Sequence, residues 1–193
     1  MSSLIQDLNP QEWMMNLDLR CFFALTFAAE EKAQLRRERE RLKTYATKGT
    51  FTHSDNFHLT LEFIGEVASE HLPTLKGLLH ELECAPMTLH VDHLGHFHIK
   101  GRQLVWLGVT QQHDLMALQA TLRMKLADTP FPPENRPYVP HITLGRHVML
   151  DTRLSDIPMA PLTLVVHSVA LMESKHVDNK LIYDVLEEIR LVD

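Results

Sequence analysis

An α+β fold, two lobes of similar plan facing each other across a cleft, is predicted by three features of the chain. His58-Leu59-Thr60-Leu61 and His141-Ile142-Thr143-Leu144 repeat one pattern 83 positions apart. Each copy lies in an apolar, strand-like run, with a glycine close behind at Gly65 and Gly145. Helical stripes of leucine separate these runs from further strands, so each histidine strand has a helix and other strands near it. Composition alone would place ~0.2 such four-residue patterns in a chain of this make-up, which makes the duplication informative where one copy is not.

Length and composition set the outer limits. A chain of 193 residues, 45% apolar and 23% charged, is ordinary for a soluble globular protein with a sizeable core. No run approaches the ~20 apolar residues of a membrane span. Two cysteines, Cys21 and Cys84, fit a reduced cytoplasmic protein better than a disulfide framework. The net charge of −6 excludes a protein that coats nucleic acid by bulk electrostatics, but not a local pocket for one phosphate. A monomer is expected.

In chain order, residues 1–18 form an N-terminal extension with no clear period, broken at Pro10 and holding at most a short helix from Pro10 to Asn16. Residues 19–193 form the single bilobal domain. Leu19 to Phe27 is the first buried strand, and Glu30 to Tyr45 a charged helix with acids first and bases later, as the helix dipole favours. Its arginines are read as a solvated face laced by ion pairs rather than an RNA-binding face. Thr47 to Asn56 is expected as a loop leading into the first histidine strand. Ser69 is placed as the N-cap of a helix carrying Leu72, Leu75, Leu78, Leu79 and Leu82. Met87–Val91 and Gln103–Val109 follow as strands, then His113–Ala127 as an amphipathic helix with Leu115, Leu118, Leu122 and Leu126 on one face. A proline-rich approach, Thr129 to Pro140, stiffens the backbone before the second histidine strand. After a loop over Asp151–Pro161, two last strands are expected over Leu162–Met172 and Lys180–Leu191.

On a strand, residues two apart point to the same side, so His58 looks out with Thr60, and His141 with Thr143. Two imidazoles and two hydroxyls suit phosphodiester cleavage without a metal. Displacement at phosphorus is in-line and needs a base on the attacking side and an acid on the leaving side. Histidine serves for both because its unperturbed pKa lies near neutrality. The hydroxyls can donate to the non-bridging oxygens, where charge gathers in the transition state.

These residues resemble the two-histidine phosphoesterase superfamily, and within it the bacterial RNA 2′,3′-cyclic phosphodiesterases, historically called 2′-5′ RNA ligases. The landmarks are RCFFAL at 20–25, NFHLTLEFIGEV at 56–67, LVWLG at 104–108 and NRPYVPHITLGR at 135–146. The resemblance implies a bilobal fold of two antiparallel-sheet lobes with helices outside and no metal or other cofactor. It also implies hydrolysis of a 2′,3′-cyclic phosphate at an RNA end, typically to a 2′-phosphate, with possible reversible 2′-5′ joining. His58 and His141 would be the acid–base pair, and Thr60 and Thr143 would hold the phosphate oxygens. One departure stands near the C-terminus: Ser174 and Tyr183 are present, but Asn179 or Lys180 stands where the family has glycine. The alternatives are a phosphodiesterase of small cyclic nucleotides and a non-catalytic RNA- or nucleotide-binding module. Two titrating groups are more than the latter needs.

Beyond the motifs, Arg146 is placed to steer a phosphate, and Arg136 less directly so. Phe22 and Phe23 alternate on the first strand, so one of them faces the cleft to stack a base; Phe23 is taken as that residue, with Tyr138 beside the second histidine. His90, His93, His96 and His98, with Asp92 among them, match no metal-ligand spacing and have no cysteine nearby, so a surface hairpin is expected there rather than a zinc site.

Overall fold

The structure, a computed structural model, describes residues 18–99 and 102–191. The expected extension, with its short helix, falls outside these residues except for Asp18, which opens the first strand. In order, the elements are β1 (Asp18–Thr26), α1 (Ala29–Lys43), β2 (Ala46–Phe51), β3 (His58–Ala68), α2 (Leu72–His80), β4 (Thr88–Ile99) and β5 (Arg102–Val109). There follow α3 (His113–Ala127), β6 (His141–Leu150), β7 (Leu162–Val165), β8 (Ser168–Val177) and β9 (Lys180–Arg190). They form two antiparallel sheets, β3-β1-β8-β9 and β2-β6-β5-β4-β7. The α+β, two-lobed expectation holds. The lobes are not consecutive halves of the chain, however, because the path changes sheet after β1, β2, β3 and β7.

Helix α1 buries Glu31, Leu35, Glu38 and Leu42, a stripe at helical spacing, and packs on β2 and β7 of the five-stranded sheet. Arg41 pairs with the buried Glu38 (2.9 Å) and Lys43 with the exposed Glu40 (3.0 Å), in keeping with a structural rather than an RNA-binding helix. Helix α2 lies on β8 and β9, and α3 on β3, through the leucines whose spacing marked them. A 3-10 turn over Ser69–His71 precedes α2, so Ser69 opens that turn and is not the helix cap. A continuous core joins the inner faces of both sheets, from Phe23 and Leu59 on one to Val105 and Leu144 on the other. No helix among the described residues is long and apolar enough to cross a membrane.

Three segments differ from expectation. Residues 46–51 form a strand instead of a loop; Gly49 and the polar residues suit an edge, where half the ladder faces solvent. The apolar run from Leu162 to Met172 is two strands in different sheets, with Val166 and His167 carrying the chain across. In the β8–β9 hairpin Val177 pairs with Lys180, and Asp178 (φ 49°) and Asn179 (φ 60°) both occupy the left-handed region. That is the backbone of a two-residue type I′ turn, and Asn and Asp tolerate it better than other residues with a Cβ. Asn179, one of the two residues standing where the resemblance would put glycine, thus takes the left-handed backbone that glycine favours.

Candidate active site

The two histidine strands carry the same irregularity. On β3, Ala24 pairs with Thr60 but Phe23 pairs with Glu62, leaving Leu61 as an extra residue. On β6, Trp106 pairs with Thr143 but Val105 pairs with Gly145, leaving Leu144 extra. Each bulge falls three residues after its histidine and shifts the alternation by one. Phe63 and Arg146, five residues after their histidines, therefore turn away from the core at which strict alternation would aim them, Phe63 to the cleft and Arg146 toward Tyr183.

Both imidazoles are held alike. His58 Nδ1 donates to the Asn56 carbonyl (2.8 Å), and His141 Nδ1 to the Val139 carbonyl (2.7 Å), each two residues upstream. This fixes the Nδ1–H tautomer of the neutral rings and leaves Nε2 for chemistry. At His58, Nε2 accepts from the Thr60 hydroxyl at 3.0 Å. Asn56 is in turn fixed, its amide donating to the Leu181 carbonyl (2.8 Å) and accepting from the Tyr183 N–H (3.3 Å).

Aromatic rings wall in each histidine. Phe22 and Tyr183 stand 5.0 and 4.9 Å from His58, centroid to centroid, and Phe97 and Trp106 stand 5.0 and 5.7 Å from His141. These walls deny water to the charged form. Burial pushes the pKa of His58 down to about 4, against the pull of its Asn56 bond, and the charges of Arg146, His141 and Lys32 lower it further. His141 is lowered by the same dominant cause, opposed by Val139 and helped by Arg146 and Arg136. Arg146 thus acts on both rings. It donates to the Tyr183 hydroxyl at 3.3 Å and so reaches from one sheet to the other.

Tyr138, expected beside the second histidine, lines the cleft next to His141. Its hydroxyl donates to the Thr60 carbonyl (3.1 Å), tying the proline-rich approach to the opposite sheet, and burial raises its pKa. Phe23 is a correction. It is fully buried in the main core, because the opposite face of β1 carries Phe22 and Ala24 toward the His58 side. Phe22 itself is 1% exposed and supports His58 rather than offering a free face. The exposed ring is Phe63, at 47%. It lines a cleft of about 380 Å³ beside Thr60 and His141, with Phe97, Ile99, Tyr138 and Val139 among its other walls. Arg136 also lines this cleft, its guanidinium 3.6 Å from Glu134.

The sequence reading missed Asn56, Phe63, Phe97 and Trp106. Asn56 could have been noticed as the amide just upstream of the motif; nothing in the sequence marks the others as cleft residues. The histidine cluster lies on β4 of the β4–β5 hairpin. His93 Nδ1 sits 2.5 Å from Asp92, and His96 and His98 meet edge to face at 4.7 Å. Among the described residues no three His, Cys, Asp or Glu side chains converge as metal ligands.

Comparison with known proteins gives a consistent picture. The family model for the 2′-5′ RNA ligase superfamily matches residues 28–178. The chain is 30% identical over 177 residues to the RNA 2′,3′-cyclic phosphodiesterase of Thermotoga maritima, covering 88% of this chain and 94% of that one. It is 36% identical over 128 residues to the Escherichia coli enzyme of the same name, covering 66% and 71%. In three dimensions it is similar to E. coli LigT complexed with 3′-AMP, with a TM-score of 0.75, 29% identity and coverage of 92% and 100%. TT0787 of Thermus thermophilus superposes with a TM-score of 0.75 at 25% identity, covering 90% and 98%.

Proposed function

This chain belongs to the 2′-5′ RNA ligase superfamily, and on that premise we propose that it hydrolyses the 2′,3′-cyclic phosphate at RNA ends, with His58 and His141 as acid and base. The observation that carries the reading is the mirrored pair of Nδ1–carbonyl bonds, which leave Nε2 as the working nitrogen of both rings, with the Arg146 charge acting on each. One imidazole takes a proton from the attacking water as its oxygen bonds to phosphorus. The other delivers a proton to the ribose oxygen that leaves, and loss of the 3′ oxygen yields a 2′-phosphate. Thr60 and Thr143 donate to the non-bridging oxygens, and Arg146 adds fixed positive charge where negative charge gathers. Thr60 must give up its bond to His58 Nε2 to do so, which frees that nitrogen as the substrate arrives. With the 5′-hydroxyl of a second RNA in place of water, the same proton transfers would give a 2′-5′ linkage as the 3′ oxygen leaves, and that joining is reversible. In this reading the protein acts as a monomer without a cofactor, in the cytoplasm, where Cys21 and Cys84 remain free thiols.

The test is turnover of a short RNA ending in 2′,3′-cyclic phosphate, with EDTA present. Wild type should cleave it, and His58→Ala and His141→Ala should each lose ~10²–10⁴-fold in rate. Thr60→Val and Thr143→Val should lose less. Wild-type turnover by the double histidine variant would sink the assignment. Tight binding by the wild type without any cleavage would favour a binding module instead.

A further inference from the structure

Past the reaction centre, β6 continues into a strip of surface with a character unlike the rest of the chain. Arg146 pairs with Thr50 on β2 and with Leu104 on β5, and Leu104 lines the cleft. Val148, paired with Gln103, is buried in the core, and a Cβ on Gly49 would meet Val148 at 3.3 Å. Gly49, Val148 and Gln103 therefore belong to the opposite face, and His147 (φ 55°) is the extra residue that shifts β6 between them. Lys48, two before Thr50, and Arg102, two before Leu104, return to the same face as Arg146. Met149, the partner of Lys48, lies between them on that face, and Ile99 pairs with Arg102 at the far side.

The side chains of this row are accessible and unengaged. Lys48 and Arg102 are exposed and have no ion pair or hydrogen bond among the described residues. Met149 and Ile99 are 58% and 50% exposed. A depression of about 510 Å³ joins Lys48, Thr50 and Arg102 of this row to His98, Gln103 and Val148 of the other face, and no lining residue is acidic. In a chain where 25 acidic residues outnumber 19 basic ones, that local excess is not the average surface. Fixed cations alternating with exposed apolar side chains match a single strand of nucleic acid, which offers phosphates and base faces in turn.

We propose that Lys48 and Arg102 form a backbone-binding subsite for single-stranded RNA, holding phosphodiesters upstream of the cyclic end that lies between His58 and His141. The strand leaves the reaction centre past Arg146, with Met149 and Ile99 against its bases. This rests on the hydrolase reading for the strand's direction, but not for its binding. A mononucleotide 2′,3′-cyclic phosphate cannot reach the subsite, so the enzyme discriminates in favour of RNA ends.

The experiment measures binding of a 5′-labelled hexaribonucleotide ending in a 3′-phosphate, which needs no turnover, across a range of salt. The Lys48→Gln/Arg102→Gln protein should bind it roughly tenfold more weakly than wild type at low salt, the upper end for two exposed ion pairs. The slope of log affinity against log salt should fall by about 1.4, at roughly 0.7 per phosphate released on a single strand. Binding of 3′-AMP should be unchanged, which also reports that the variant is folded. Equal hexanucleotide affinity and equal salt slope for the two proteins would overturn the subsite. A normal binding difference without cleavage of a cyclic end would retain it and count against the hydrolase.

Discussion

Burial holds the pKa values of both candidate histidines below the ordinary 6.5, and that sets how the enzyme should respond to pH. His58 is lowered from its ordinary 6.5 to about 4, and His141 is lowered too, so near neutrality the free site holds two bases and no acid. The proposed acid–base mechanism needs one ring protonated and the other not. The rate should therefore rise as pH falls below neutrality, with its maximum on the acid side of 6.5. Arg146 contributes to this directly, because its fixed charge disfavours a positive charge on either ring. Removing that charge raises both pKa values, so at any given pH a larger share of the rings carries a proton. An Arg146→Gln enzyme should be slower, having lost a phosphate contact, and its kcat/KM maximum should move to higher pH. A pH–rate profile of unchanged position would show that the arginine does not act on the imidazoles. At this scale the pair His58 and His141 could be identified from sequence because polar residues interrupt two apolar runs in the same way. Phe22 and Phe23 could not be told apart, since adjacent strand residues differ only in face, and face depends on a partner strand.

Among the elements, the glycine of β4 shows how the histidine surroundings are supported. A Cβ on Gly95 would collide with the ring of Trp106, the residue opposite it on β5. The indole lies over the glycine and from there packs against His141 and Phe97. Gly95→Ala should displace the ring, costing about 1–3 kcal/mol in a urea melt and lowering kcat. Gly77, inside α2, is the opposite case: a Cβ there would meet nothing within 4 Å. Gly77→Ala should stabilise by about 0.5–1 kcal/mol with kcat unchanged. The contrast separates a glycine required by packing from one that is merely tolerated. The helices were legible because leucine at i, i+3 and i+4 needs no partner to be recognised. Edge strand β2 was not, since it has one ladder and little apolar alternation. Nor was the break at Val166–His167, where both sides of a sheet crossing are apolar and no turn residue marks it. The bulges at Leu61 and Leu144 were equally hidden, because a bulge is a mismatch between two strands and one strand alone does not contain it.

Across the whole molecule, β1 and β3 belong to one sheet while β2 between them belongs to the other, and α3 connects two strands of one sheet while packing on the other. With a single core joining the inner faces, neither sheet can be released while the other remains intact. Urea unfolding followed by far-UV circular dichroism and by tryptophan fluorescence should give coincident transitions; two separated midpoints would mean the lobes are independent. The near-identical mounting of His58 and His141 also bears on how the reaction cycle closes. In the proposed mechanism each turnover leaves the former acid stripped of its proton and the former base carrying one, so the enzyme ends in the mirror image of the state in which it began. Because both rings sit on the same kind of carbonyl anchor, that mirrored state is itself a working catalyst, poised for the opposite direction of travel. With both pKa values lowered, the former base sheds its proton to solvent and the former acid must regain one before the next RNA end is cut, so the resetting proton becomes part of the cycle.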